Sequence, residues 1–493
     1  MKHLLTLLFL SFAVLTSAQQ RIKPEWTLLK PDGPTGNAES WSVSVDTDGN
    51  LFWSYNQTGD GYDVFLEKRS RTNPFVSQSI YNYSAPFAQQ AFVTKQEAPL
   101  LFLGGRTCRS NHINLADCDG FITVIDIPTG DTLWQRIIDR GYGYEEVDGV
   151  GSDDSSIYVS GWSVGDTSQN IDIDAFIRRY DKQGNVIWST YWGTDSTDHA
   201  DGQLAMDDDF VYVTGLYRGV PNPFFIGLSG FDGNAILAKF AKKDGKLVKY
   251  IGLTTDDSAF TNFENALGMV KKDNFLYITG VTTIDKDNNQ IFLTKVDVNF
   301  GVYWHRTWGG DGTESARAIT VDDSGNIWLG GLSNSSGAGS YDAVVLKYSN
   351  SGALLYSGLW GSIAKEEILD LAYDNGKLFA AGTTTTKETV PIETKGFLMM
   401  LDLKTSLGVK HSNNIEPTYL YPNPMRSSAF LEIPSVSNGT LTITDALGRE
   451  VRIIDEIHAS PLTFERGKLT SGIHYYTLFD GGHIVGRGKF VVE

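Results

Sequence analysis

A chain of 493 residues is too long for one ordinary hydrophobic core, so it needs several domains or a repeat architecture that adds small cores in series. Its 51 glycines, 11 Trp, 22 Tyr and 26 Phe favour half-buried strands and tight turns over helices. The net charge of −18 argues against nucleic acid and against an anionic membrane surface, both of which reward clustered Lys and Arg.

The chain opens with Lys2 and His3, an apolar run from Leu4 to Leu15 broken by Thr6 and Ser11, and then Thr16-Ser17-Ala18. This pattern predicts a secretory signal peptide over residues 1–18, cut before Gln19, because the run is too short to span a bilayer. Elsewhere no segment approaches about 18 consecutive apolar residues, so no transmembrane span is expected in the mature protein.

Next comes an orphan strand, Glu25 to Leu29, and after it a unit that recurs seven times. Its landmark is a short apolar strand ending in small residues, as in Leu101 to Gly105, Ile157 to Gly161, Val211 to Gly215, Leu276 to Gly280, Ile327 to Gly331 and Leu378 to Gly382. The first copy, Leu51 to Tyr55, ends without glycine. Each landmark follows an alternating strand and a turn such as Asp46-Thr-Asp48-Gly-Asn50 or Asp322-Asp-Ser-Gly-Asn326, where glycine supplies the positive φ of a tight hairpin. A third strand opens with a residue such as Asp174 or Asp342, and a fourth often carries Trp, as at Trp134, Trp188 and Trp304.

Four antiparallel strands per repeat form a propeller blade. The fold class expected is therefore all-β, a seven-bladed β-propeller over 19–405. The last unit stops after its third strand, and the orphan strand is expected to pair there and protect both edges. Cys108 and Cys118 enclose a polar loop and read as a disulfide in an oxidising compartment, two unpaired thiols being the alternative.

Beyond a polar linker over 406–418, short strands separated by glycine turns predict a small Ig-like β-sandwich over 419–493.

The search for chemistry finds no nucleophile elbow, His-Glu-x-x-His pair or phosphate loop. His112, His199 and His305 fall in different units, so no metal site is expected. Asp46 to Asn50 has the alternating oxygens of a calcium loop's start without its later Glu, so a hairpin turn is the reading and calcium the alternative. No other cofactor is expected. The segment Asp126 to Trp134 resembles one strand of the quinone-dependent dehydrogenase propellers, but it occurs once and reads as a turn and a packed Trp.

Just before the first strand of each unit stand Glu39, Gln89, Glu145, Asp198-His199, Glu264, Glu314 and Glu367. They are expected to ring one mouth of the central channel, with Arg317 as one counter-charge, each hydrogen-bonding its own blade loop by the favoured reading; a ring that holds a cation or a basic group on a ligand is the other. Loops 72–87, 106–118, 216–230 and 284–289 vary most, and Tyr217, Phe224 and Phe225 in them are candidates for stacking on sugars.

Two resemblances follow from these residues. The unit Asp322 to Gly331, with Asp342-Ala343 and the preceding Trp308-Gly-Gly310, resembles the bacterial β-propeller repeat family, a likeness that covers about residues 22–405 and implies fold rather than function. The tail is similar to the type A C-terminal sorting domain of the type IX secretion system. Tyr421-Pro422-Asn423-Pro424, Ile443-Thr-Asp445 with Gly448-Arg449, Ser471-Gly472 and Gly488-Lys489 carry that likeness. It implies export across the outer membrane to the cell surface or medium, with the secretion machinery and its sortase as partners and a cut within the linker.

The function expected first is a binding or scaffold module for a glycan, protein or peptide, with catalysis left open. Its rival is a secreted carbohydrate-active enzyme using two carboxylates at the channel mouth.

Overall fold

The computed structural model describes residues 20–30, 37–58, 62–71, 73–83, 89–109, 118–141, 143–165, 173–194, 197–218, 233–253, 263–285, 288–387, 393–402, 419–421, 423–432, 439–445, 450–458, 461–480 and 483–493. The chain divides into two compact units, Met1–Leu407 and Gly408–Glu493. The signal-peptide segment, the whole linker over 406–418, Pro422, Gly448, His112, Phe224 and Phe225 lie outside the described residues.

Among the described residues of the first unit, the strands form seven sheets laid down in chain order. The first is Ala38–Val45, Asn50–Thr58, Tyr62–Ser70 and Ser77–Tyr83; the second is Gln89–Glu97, Leu100–Cys108, Cys118–Asp126 and Thr132–Ile138. The third is Glu145–Ser152, Ser156–Val164, Ile173–Asp181 and Val186–Trp192. The fourth has a broken first strand, Asp198–His199 and Ala205–Met206, then Phe210–Arg218, Gly233–Ala241 and Leu247–Gly252. The fifth is Glu264–Lys272, Phe275–Asp285, Asn288–Asp297 and Val302–Trp308; the sixth is Glu314–Val321, Ile327–Ser333, Asp342–Tyr348 and Leu354–Trp360.

The seventh sheet takes Glu366–Asp374, Lys377–Lys387 and Glu393–Asp402, and its fourth strand is the N-terminal Trp26–Lys30, with Trp26 opposite Met400 and Leu29 opposite Phe397. The expected pairing of the orphan strand is thus observed. A two-residue strand, Gln20–Arg21, adds parallel to Leu354–Trp360, a contact that no feature of the repeat signals.

Alternating side chains of each sheet fill the spaces between neighbours. Val93, Phe102 and Ile122 of the second sheet pack on Val147, Val159 and Phe176 of the third. Val43, Leu51 and Trp53 of the first pack on Ala372, Phe379 and Leu398 of the seventh, which closes the ring. Meander sheets packed face to face in cyclic order constitute a β-propeller. The outer Trp residues bolt neighbours together: the indole N–H of Trp134 donates to Lys182 O at 2.9 Å, Trp188 to Lys242 O at 2.9 Å and Trp304 to Asn350 O at 3.2 Å.

The landmark glycine has a specific reason. In five sheets the first strand carries an extra residue opposite it, and in a sixth that strand is broken there; a Cβ on the glycine would lie 1.8 to 2.0 Å from a carbonyl of the first strand, as at Gly161 against Glu146 O and Gly331 against Ser315 O. Glycine leaves room for the bulge's carbonyl in these sheets, while the first sheet carries its bulge opposite Tyr55. The Asp-x-x-Gly-Asn turns are likewise self-contained: Asp46 Oδ1 accepts the amides of Asp48 and Asn50 at 3.0 and 2.7 Å, and Asp322 Oδ1 those of Ser324 and Asn326 at 3.0 and 2.9 Å.

In the second unit, Tyr419–Tyr421, Ser428–Glu432 and Leu462–Glu465 form one sheet, and Glu450–Ile457, Gly439–Asp445, Gly472–Asp480 and His483–Val492 another. Met425, Leu431, Leu441, Phe464, Leu478 and Phe490 are buried together as its core. Asn423 Oδ1 accepts the Val491 amide at 2.8 Å, and Met425 N donates to Val491 O at 2.8 Å, so the segment that begins this unit is stitched to its last strand. Gly488 lies where a Cβ would meet the Tyr476 hydroxyl at 2.4 Å, and Lys489 is exposed.

Candidate functional site

A bulge aims one side chain per sheet toward the axis. The bulged residues are Trp41, Phe92, Asp148, Leu267, Arg317 and Leu369, and Asp201 stands at the break in the fourth sheet's first strand. These seven, with Gln203, line a single cavity of about 30 Å³. Seven sheets contributing one residue each place that cavity on the ring's axis. Gln203 Nε2 lies 3.5 Å from Asp370 Oδ1 of the seventh sheet, so the passage is narrow.

Its electrostatics are split. Burial, followed by the charges of Glu146 and Asp201, holds the Asp148 carboxyl well above its ordinary range, and its hydrogen bond with the Glu146 carboxyl adds to the rise. Asp201 is shifted the other way: burial raises it but is outweighed by His199, Asn265 and Arg317, with His199 Nδ1 at 3.4 Å from Oδ1 and Asn265 Nδ2 at 2.7 Å from Oδ2. Glu146 is raised by burial, opposed by Arg106, whose guanidinium lies 2.7 Å from it.

An arc of rings and cations runs beside these groups. Arg317 lies 5.1 Å from the Trp41 ring, Trp41 meets Phe92 edge-on at 4.9 Å, and Arg106 covers Phe92 and Tyr144 at 5.0 and 5.3 Å. Tyr144 stacks on Trp162 at 4.5 Å, and Trp162 on His199 at 4.6 Å. The arc therefore spans the sixth, first, second, third and fourth sheets.

The acids expected to form one ring fall into two rows. Glu145, Glu264 and Glu314 are buried and accept hydroxyls of their own second strands, Ser163 at 2.9 Å, Thr282 at 2.9 Å and Ser333 at 2.8 Å. Gln89, Asp198 and Glu366 share that row. Glu39, His199 and Glu367 stand one residue further along, opposite Asn56, Leu216 and Thr383, and so face the other way. Glu39 Oε2 accepts the Trp41 indole at 3.1 Å, and Glu367 pairs with Lys365 at 3.3 Å. The expectation of a single ring is corrected: the seventh sheet's counterpart of Glu314 is Glu366, and that of Glu145 in the first sheet is Ala38.

His199 and His305 do not meet. The latter is half-buried in the fifth sheet with Nδ1 at 2.7 Å from Thr294 Oγ1. Tyr217 stacks on Trp192 at 5.1 Å and is buried. Cys108 and Cys118 form the disulfide. Reading the sequence overlooks the cavity residues because a bulge shifts the alternation by one, and only the landmark glycine hints at its place.

No family model matches the chain, and no curated protein matches it. Among solved structures it is similar to the WD40 β-propeller domain of Doa1, at 11% identity over 77% of this chain and 97% of that one, with a TM-score of 0.43. It is also similar to the β-propeller domain of the Trilobed protease from Pyrococcus furiosus, at 12% identity over 78% and 99%, with a TM-score of 0.40. Drosophila Plexin A, in complex with Semaphorin 1b, matches at 9% identity over 78% and 88%, with a TM-score of 0.45. The assignment as a β-propeller rests on this chain's own strand order.

Proposed function

We propose that this chain is an exported seven-bladed β-propeller that serves as a binding and scaffold module at the cell surface or in the medium, engaging a glycan, protein or peptide through one face of the ring. The observation that carries this reading is how the inner-strand acids are used. Glu314 accepts the amides of Gly310 and Ser335 at 2.8 and 3.2 Å, Glu366 that of Ser362 at 3.1 Å and Asp198 that of Thr194 at 2.6 Å, so these acids hold loops in place. The axial cavity, at about 30 Å³, takes a water or two, whereas a small-molecule site needs roughly 300 Å³ or more. The arc from Trp41 to His199 offers cations and ring edges suited to sugars or peptides.

The delivery half of the proposal rests on the residue 1–18 pattern and the tail landmarks, with the Ig-like tail acting as the sorting signal. Mass spectrometry of the protein from native cells and medium tests it: a start at Gln19 and an end within 404–420 is expected, and an intact Glu493 on the exported protein would refute removal of the tail.

The hydrolase reading has one supporting observation, the opposite shifts of Asp148 and Asp201 beside one cavity. Polysaccharide cleavage that disappears in Asp148→Asn and Asp201→Asn would establish it. Retention of a glycan or peptide without turnover, weakened about tenfold by Trp162→Ala, is the result expected from the binding module.

A further inference from the structure

Three junctions between consecutive sheets share a device. The chain leaves the fourth strand through Trp192-Gly193-Thr194, Trp308-Gly309-Gly310 or Trp360-Gly361-Ser362, and the amide of the third residue donates to the acid that opens the next sheet. The glycine has no room for a side chain. A Cβ on Gly193 would lie 2.5 Å from Asp174 Oδ1 and 2.9 Å from Asp198 Oδ2, one on Gly309 2.3 Å from Glu314 Oε2, and one on Gly361 2.4 Å from Asp342 Oδ1 and 2.6 Å from Glu366 Oε2. Backbone fills the space between the two strands there.

The junction of the second and third sheets departs from this device. Its fourth strand ends at Ile138, and Asp139 occupies the glycine's place. Three carboxylates now converge: Asp119, Asp139 and Glu145 each bring an oxygen within 4.8 Å of the others. Glu145 is fully buried; its Oε1 accepts the Ser163 hydroxyl at 2.9 Å, while its Oε2 has no hydrogen-bond partner. Burial, opposed by the Ser163 hydroxyl and the Arg140 backbone amide and reinforced by the charges of Asp139 and Asp119, pushes the Glu145 carboxyl up to about 7.

Arg109 answers part of this charge. Its Nη2 lies 2.9 Å from both Asp119 oxygens and 3.3 Å from Asp139 Oδ2, on a side chain that is 58% exposed and long enough to swing outward. Asp139 Oδ1 accepts the Gly141 amide at 2.6 Å. The spacing of the acids is held by backbone, since Cys118 N donates to Gly143 O at 3.2 Å and the Cys108–Cys118 disulfide anchors the strand that carries Asp119.

An all-oxygen donor set with an excess of negative charge suits a hard cation, which takes carboxylates, carbonyls and water at about 2.3 to 2.6 Å. We propose that Asp119, Asp139 and Glu145 bind a divalent cation of the calcium class, which displaces the Arg109 guanidinium and ties the second sheet to the third.

Calcium titration of the chelator-treated full chain, by calorimetry and by thermal melting, tests this. Binding at about millimolar calcium or tighter is expected, with a higher melting temperature. Asp139→Gly, which restores the residue found at the other three junctions, and Glu145→Gln should each weaken binding by about tenfold or more, and Arg109→Ala should tighten it. Wild-type protein that binds no calcium at about 1 mM, or Asp139→Gly protein that folds and binds as the wild type does, overturns the proposal.

Discussion

Gly161 and its counterparts carry the tightest single-residue constraint in the ring. A methyl group at Gly161 would sit 1.8 Å from the Glu146 carbonyl, and backbone cannot yield as a flexible side chain would. Gly161→Ala is therefore expected to cost about 2 to 3 kcal/mol, read from the urea midpoint. Gly252→Ala, where nothing lies within 4 Å of the added atom, should stay within about 0.5 kcal/mol of wild type. Asp370 gives a residue-scale prediction about pH. Burial raises its carboxyl from 3.8 to about 6, against the Ser42 hydroxyl and the amides of Val43 and Leu371 that lower it. The folded state then holds a proton that the unfolded state has lost, so this contribution is fully present below pH 3.8 and disappears as pH rises through about 6. Asp370→Asn should flatten that part of the stability profile in pH-dependent denaturation, and an unchanged slope would show that the group is not responsible.

At the scale of elements, the bulge and the closing strand matter most. The bulge converts a period-two strand into one that aims Trp41, Asp148 and Arg317 at a common space, which Asp201 enters from the break in the fourth sheet, and the pairing register puts the expected acids in rows facing opposite ways. Counting residues back from the landmark gives Glu39 the same standing as Glu145, and only the pairing partners Asn56 and Ser163 separate them. The closing strand Trp26–Lys30 covers the edge of Glu393–Asp402. Removing residues 19–30 exposes that row of amides and carbonyls, so concentration-dependent association is expected in size-exclusion chromatography. The indole bolts are separable devices: Trp134→Phe keeps the ring and loses the bond to Lys182 O, for an expected loss of about 1 kcal/mol.

For the whole molecule, the first unit supplies the site and the second is a sandwich with a core of its own. Within the second unit the motif at its start has a physical partner at its end, since Asn423 and Met425 both bond Val491. Deleting residues 489–493 takes away that partner and the buried Phe490 and Val492, so the unit should lose its cooperative melt. If the tail is the export signal, the same deletion leaves the protein inside the cell, which fractionation and immunoblotting of the native host would show.

Much of the architecture was legible in the residues because it is periodic. Hairpin turns such as Asp322 to Asn326, apolar landmarks and outer Trp residues are local demands of backbone and burial, and a repeat states them seven times. Even the pairing of the first strand with the last unit follows from counting strands. What only the tertiary structure decided is the face each polar side chain presents and which sheets it joins. A bulge moves a side chain from one face to the other with no trace in the sequence beyond the landmark glycine, and ring closure brings Arg317 beside Trp41 and Gln203 beside Asp370 across long stretches of chain. Those juxtapositions depend on register and curvature summed over all seven sheets, quantities that no single repeat encodes.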